Sequence, residues 1–471
     1  MAALDTNPPV NRGMKELDRL FFRRTIPVLA AKIDARKTGE LLRSSALRGV
    51  ILDIPKITNV VKCQDGDDSK RLLLLGVKET GHLPVPAREY LEAQAAALVP
   101  HNIDLDYEYW TADQILKAVL PLELGDGSPT AFSINGHIAH MNLRDEYLPY
   151  RYLIGQVILD KNKIIRTVVN KLDNIDTEFR FFKMEVLAGE PDFIITHASP
   201  LQSESNCTFT LDFSAVYWNS RLAHEHERLV NLFTSNLENP APLVVDVFAG
   251  VGPFAVPAAK RGAVVFANDL NGESTKWMEV NVRNNKVVPR IRITTLDGRK
   301  FIQEAVQTAW SSPFGPEAYI KPLTVRERRM KQRAANSVPT ASQPTPSSES
   351  QPAPELPQSH DPRRIDHFVM NLPGMALEFL DAFKPSFATL VSSQDPEEVR
   401  RVYRSMPMVH VHCFTRELEE EGARKDILDR AQTALGSIIT EEVQLHHVRK
   451  VAPNKEMYCL SFRLPQSFIS S

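Results

Sequence analysis

Leu243 to Asp269 reads LVVDVFAGVGPFAVPAAKRGAVVFAND. An apolar run, a Gly-x-Gly turn, a helical stretch and a second apolar run ending in an acid follow one another without a break. This order is the βαβ unit with which α/β domains hold an adenosine-containing ligand. The glycines let the backbone turn tightly and approach the ligand, and the closing acid, Asp269, accepts hydrogen bonds from ribose hydroxyls. Downstream, the apolar runs 291–295, 365–370 and 409–414 alternate with helical patterns. That alternation predicts a doubly wound, mainly parallel sheet. Residues 442–451 and 457–464, joined by Ala452-Pro453-Asn454-Lys455, predict a hairpin that adds one antiparallel strand and completes a seven-stranded sheet.

The spacing Gly250-x-Gly252-x-x-Ala255, with Asp269 about 20 residues on, also satisfies a dinucleotide fingerprint, so a nicotinamide-dependent dehydrogenase remains an alternative. Two residues point elsewhere. Asp246 interrupts a strand that nicotinamide-binding domains keep apolar, and can face the amino-acid end of S-adenosylmethionine. Pro253 crowds the turn where a pyrophosphate needs free amides. Leu296-Asp297-Gly298, after the third strand, is placed for the adenine edge. Asn371-Leu372-Pro373-Gly374 follows the fourth strand, and carboxyl ends of strands line the ligand crevice. An amide there, with nearby backbone carbonyls, can hold an N–H group of a planar substrate. The expected fold is therefore an α/β, class I (Rossmann-like) methyltransferase domain.

A chain of 471 residues exceeds one ordinary core. Two smaller α/β or α+β domains, 1–125 and 126–238, are expected before a methyltransferase domain at 239–471. Within the latter, 323–362 reads as a disordered insertion: Arg326 to Arg333 is basic, and residues 337–362 are rich in Pro, Ser and Gln. The net charge of −2 carries no global signal for a polyanionic partner. Basic stripes do occur locally, from Arg23 to Arg48 and around Lys161, Lys163 and Arg166. The four cysteines are far apart and form no C-x-x-C pair, so no metal site and no disulfide framework are expected. No apolar run reaches the ~18 residues of a membrane span, and no secretory leader is expected at the N-terminus.

Residues 213–228, FSAVYWNSRLAHEHER, together with 142–150, NLRDEYLPY, carry a more specific signal. With FKMEVLAGE at 182–190 and VAPNK at 451–455, they closely resemble the eukaryotic and archaeal tRNA (guanine-37-N1)-methyltransferases. The resemblance covers nearly the whole chain from about residue 130 and omits the insertion. It implies methyl transfer from S-adenosylmethionine to N1 of guanosine 37, giving 1-methylguanosine, which maintains the reading frame and begins wybutosine synthesis in phenylalanine tRNA. It implies Glu225 as general base, a role that a pKa raised by burial would favour, Arg180 as donor to guanine O6, and Asn371 as the residue that fixes the ring. It places Tyr217, His224, Phe248 and Leu270 around the cofactor, with Asp246, Gly250, Gly252, Asp269, Asp297, Gly298 and Asn371. The implied partner is tRNA, recognised at its anticodon loop and folded body by a monomer, the first domain reaching the folded body; Lys161, Lys163 and Arg166 of the second domain are expected to border the anticodon stem. The implied location is the cytoplasm and nucleus, with a mitochondrial matrix pool. A methyltransferase for another RNA position and a catalytically idle RNA-binding module are the alternatives.

Overall fold

The computed structural model describes residues 4–63, 67–127, 129–172, 183–198, 207–235, 241–319, 329–330 and 361–470. Arg180 and nearly all of the expected disordered insertion lie outside the described residues. The chain divides into two compact units, residues 1–172 with 184–192 and residues 173–183 with 193–471.

The first unit contains two sheets. In one, β1 (Arg24–Asp34), β2 (Val60–Lys62), β3 (Lys70–Leu75) and β4 (Ala97–Leu105) lie in the order β2-β3-β1-β4, all antiparallel. In the other, β5 (Ser133–Asn135), β6 (Ile138–Met141), β7 (Thr167–Lys171) and β8 (Met184–Gly189) lie in sequential order, with β6 and β7 parallel. Helices α1 (Thr38–Arg43), α2 (Val85–Ala93), α3 (Ala112–Val119) and α4 (Arg151–Lys161) accompany them. A capping box between Thr111 and Gln114 starts α3, whose Ile115, Leu116 and Val119 turn inward. Gly155 lets α4 settle on β8, since a Cβ there would stand 2.5 Å from Leu187 Cβ. Phe22, Trp110, Leu116, Ile154, Val157 and Leu187 belong to one apolar cluster, so residues on both sides of the expected 125/126 boundary share a core.

Two of the three cations assigned to the anticodon stem are committed within this unit. Lys161 lies over the Tyr107 ring at 3.8 Å and donates to the Tyr107 carbonyl, and its side chain is 11% exposed. Arg166 pairs with Asp192 at 3.1 Å. Lys163 stays exposed.

The second unit opens with a two-stranded ribbon, β9 (Ile194–Ala198) and β10 (Thr208–Asp212). Its main sheet comprises β11 (Leu243–Asp246), β12 (Val264–Asn268), β13 (Ile291–Thr294), β14 (His367–Met370), β15 (Met408–Thr415), β16 (Gln444–Ala452) and β17 (Lys455–Arg463). The order is β13-β12-β11-β14-β15-β17-β16, and β17 alone runs against its neighbours, as the sequence predicts. Helices α5 (Ala223–Thr234), α6 (Ala255–Arg261), α7 (Gly272–Asn284) and α8 (Gly298–Ser311) pack on it. Because both faces are covered, β11 and β12 are buried throughout. Val244 and Val265 join a cluster with α5, α6 and α7, while Leu243 and Val245 join another with α8 and Phe383.

Candidate active site

Four parallel strands end side by side, and the candidate cofactor residues sit at those ends. Asp246 is the last residue of β11 and Asn371 directly follows β14, its parallel neighbour. Asp246 is fully buried, and neither carboxyl oxygen has a hydrogen-bond partner. The Oδ1 of Asn371 is likewise buried and unpartnered. Unpaired buried polar atoms cost about 1–3 kcal/mol each, so three on two side chains at adjoining strand ends mark a place built for something else to bind. Burial and the neighbouring Asp269 push the Asp246 carboxyl well above the usual carboxylate range.

Beyond Asp246 the chain turns at Gly250 and Gly252, with φ of 55° and 94°. A Cβ at Gly250 would meet nothing within 4 Å, so the turn borders open space. At Gly252 it would stand 2.9 Å from Val256 Cγ2, so this glycine serves the packing of α6 instead. Asp269 follows β12 and accepts from the amides of Gly250 and Asn271, both at 2.9 Å. It thereby clamps the glycine turn, and each oxygen keeps a lone pair for a further donor. Asp297 caps α8 through the amides of Arg299 and Lys300, and stays exposed. Gly298 lies against a T-shaped pair, Phe248 and Phe379, whose ring centroids are 5.0 Å apart. Tyr217, His224 and Leu270 are exposed. The Tyr217 segment is tied to the start of α7, because Asn271 Nδ2 donates to the Ala215 carbonyl at 3.0 Å.

Glu225 lies in the first turn of α5 and is 5% exposed. Arg228, one turn on, grips it with Nε on Oε2 at 2.7 Å and Nη2 on Oε1 at 2.8 Å. His412 of β15 lies 2.8 Å from Oε1, and His446 of β16 lies 3.6 Å from Oε2. Burial alone would raise the Glu225 carboxyl. Arg228 and His412 outweigh it and hold the pKa down to about 2, so the rise that would favour a general base does not occur. At neutral pH Glu225 is therefore an ionised acceptor rather than one poised near neutrality. Its ligand atom also lies within 4.8 Å of those of His412 and Cys459. With Arg228 already on both oxygens, this group is an ion-pair network rather than a metal shell.

Several positioning residues escape the sequence reading. Asn268, buried at the end of β12, donates to the carbonyls of Val247 and Leu296 and accepts from the Leu296 amide and the Thr294 hydroxyl. It fastens three strand ends around the crevice. An Asn just before an Asp reads as a turn residue, so only the strand pairing reveals its role. Phe379 lies in a 3-10 turn, and His412 alternates with apolar residues on an ordinary strand pattern. Arg180 lies outside the described residues.

A family model described as the TRM5/TYW2 methyltransferase domain matches residues 201–309, and the TYW2 N-terminal domain model matches residues 112–192. The tRNA (guanine(37)-N(1))-methyltransferase of Coprinopsis cinerea is 48% identical, over 98% of this chain and 96% of its own. The enzyme of that name from Saccharomyces cerevisiae is 39% identical, over 98% and 94%. Among solved structures, Trm5b from Pyrococcus abyssi matches at 22% identity with a TM-score of 0.50, covering 93% of this chain and 99% of its own, a likeness of fold. With such identity sustained across nearly its whole length, this chain belongs to the tRNA (guanine(37)-N(1))-methyltransferase family.

Proposed function

We infer that this protein transfers a methyl group from S-adenosylmethionine to N1 of guanosine 37 in tRNA. The observation that carries the reading is the pair of unpartnered buried groups, Asp246 and Asn371, at adjoining strand ends in a chain otherwise 48% identical to an enzyme named for this reaction. A protein of similar fold, aTrm5, has been captured in complex with tRNALeu; it is 16% identical with a TM-score of 0.52.

The residues fit the cofactor. The Asp246 carboxylate receives its ammonium group, Asp269 the ribose hydroxyls, and Asp297 with Gly298 the adenine edge. Phe248, Phe379, Leu270 and Tyr217 supply apolar walls, with His224 at the rim. Bound there, S-adenosylmethionine supplies an electrophilic methyl group. Asn371 holds the guanine edge through its free Oδ1. Glu225 takes the N1 proton as that nitrogen becomes positively charged. A strong base is unnecessary, because methylation itself makes the proton acidic; what is needed is an ionised oxygen with a free lone pair, which Oε2 retains. Arg180 keeps the O6 role by resemblance alone. The target base must leave its stack to reach such a crevice, and lysine and arginine contacts to phosphate provide affinity elsewhere on the tRNA.

The test is transfer of labelled methyl groups to two unmodified tRNA transcripts that differ only at position 37, guanosine or adenosine. The expected result is labelling of the first alone, with 1-methylguanosine on digestion. Equal labelling of both would move the target to another position and refute the reading.

A further inference from the structure

We propose that His446 relays the proton from Glu225 to solvent during methyl transfer, acting through Glu225 and not on the base itself. The proposal rests on the function inferred above and assigns a role to a residue which that reading does not use.

The geometry comes from strand register. His412 of β15 stands directly opposite Cys459 of β17, and Cys459 directly opposite His446 of β16. Three ionisable side chains thus form one row across three strands. α5 lies against this row with Glu225 and Arg228. The inner end of the row is sealed, with His412 0% and Glu225 4% exposed, whereas the His446 side chain is 47% exposed. Glu225 therefore sits between a dry end and a wet one.

The chemistry of its neighbours leaves one outlet among the described residues. Arg228 has only donors and no lone pair to receive a proton. His412 directs Nε2 at Oε1, and its other ring nitrogen, though unpartnered, is fully buried, so a proton passed to this ring would not reach solvent. Cys459 is buried and its thiol is a poor acceptor. His446 Nε2 faces Oε2 at 3.6 Å, a gap that a small side-chain adjustment or one water closes. The groups facing His446 are Glu225 and Arg228 from α5, His412 from β15, Cys459 from β17 and His447 beside it. Partial burial and Arg228 together press its pKa below the usual histidine value, with Glu225 opposing. A carboxyl that holds protons weakly thus lies beside a half-exposed imidazole whose Nε2 is aimed at it.

The step balances. The N1–CH3 bond forms as the S–CH3 bond breaks, leaving a neutral thioether. The N1 proton passes to Oε2 of Glu225 while its bonding pair stays with the ring. That proton moves on to Nε2 of His446, and the imidazolium releases a proton to water.

The experiment measures the single-turnover rate on guanosine-37 tRNA against pH, for the wild-type protein, His446→Ala and His446→Gln, with and without added imidazole. Methylation by the wild type tests the inferred function; the variants test the relay. Both variants are expected to lose roughly tenfold in rate, less than a directly placed general base contributes, with cofactor affinity unchanged. In His446→Ala, imidazole should restore most of the loss, and more at pH values where it is neutral. A second readout needs no turnover: the His446 ring is titrated by NMR in the wild type and in Glu225→Gln, where loss of the carboxylate should lower its pKa. Unchanged rates in both variants, a loss that imidazole does not relieve, or a His446 titration indifferent to Glu225 would each overturn the proposal. A wild type that methylates no guanosine-37 tRNA would instead refute the inferred function.

Discussion

A carboxylate with almost no exposed surface needs counter-charge, and Glu225 has Arg228 on both oxygens and His412 on one. Replacing it by Gln leaves those cations facing a neutral amide. The expected cost is about 3 kcal/mol of stability at neutral pH, read as a lower urea midpoint with unchanged slope. The pH dependence has a definite sign. The Glu225 pKa in the folded state is about 2, below its ordinary value of 4.5, so its contribution is complete above about pH 4.5 and is lost as pH falls toward 2. Glu225→Gln should show a shallower acid limb than the wild type, and any loss of activity must be measured on the folded fraction. The run RLAHEHER marks Glu225 in the sequence, but not what surrounds it. His412 lies 187 residues away on a strand whose alternation reads as ordinary packing. A residue's chemistry is legible in one dimension; its partner across a sheet is not.

At the scale of elements, the two turn glycines do different work and should fail differently. Gly250 has a left-handed backbone beside open space. Alanine there should cost about 1 kcal/mol in backbone strain, while its methyl group intrudes on the cofactor. Gly252 has φ of 94° and Val256 at 2.9 Å from any added Cβ, so alanine should cost roughly 2 kcal/mol or more in stability. Thermal unfolding and S-adenosylmethionine titration of both variants separate the cases: Gly250→Ala mainly loses binding, Gly252→Ala mainly loses stability. The parallel strands were readable because each is a short apolar run bounded by turn residues, and the hairpin because Pro and Asn punctuate it. The row His412–Cys459–His446 was not, because it depends on the pairing of β17 with both neighbours.

At the scale of the molecule, cuts should follow cores. Trp110 and Leu116 share an apolar cluster with Ile154, Val157 and Leu187, so a fragment beginning at residue 126 exposes surface that β4 and α3 would cover. That fragment should aggregate. A fragment of residues 193–471 retains the seven-stranded sheet with its own two clusters. It should unfold in one cooperative transition and bind S-adenosylmethionine, yet fail to methylate tRNA for want of the first unit and Arg180. Efficient methylation by it would show that the tRNA contacts lie wholly within the second unit. The division was hidden in the sequence because the first unit's core joins residues from Met14 to Ala188, a connection that no local pattern displays.

Asp246 and Asn371 leave unpartnered oxygens at the ends of β11 and β14, and the inferred function assigns Asp246 to the cationic end of the cofactor. The most direct measurement pairs S-adenosylmethionine calorimetry with the ligand-free stability of Asp246→Asn. Asp246→Asn is expected to bind more weakly by about 2 kcal/mol, roughly thirtyfold, for loss of a charge-assisted contact. Without ligand, the variant should be at least as stable as the wild type, because a buried carboxyl without partners has been replaced by a neutral amide. Wild-type binding should release protons, since the raised Asp246 pKa must fall as the ammonium group arrives. Unchanged affinity together with a loss of stability would make Asp246 a packing residue and contradict that assignment.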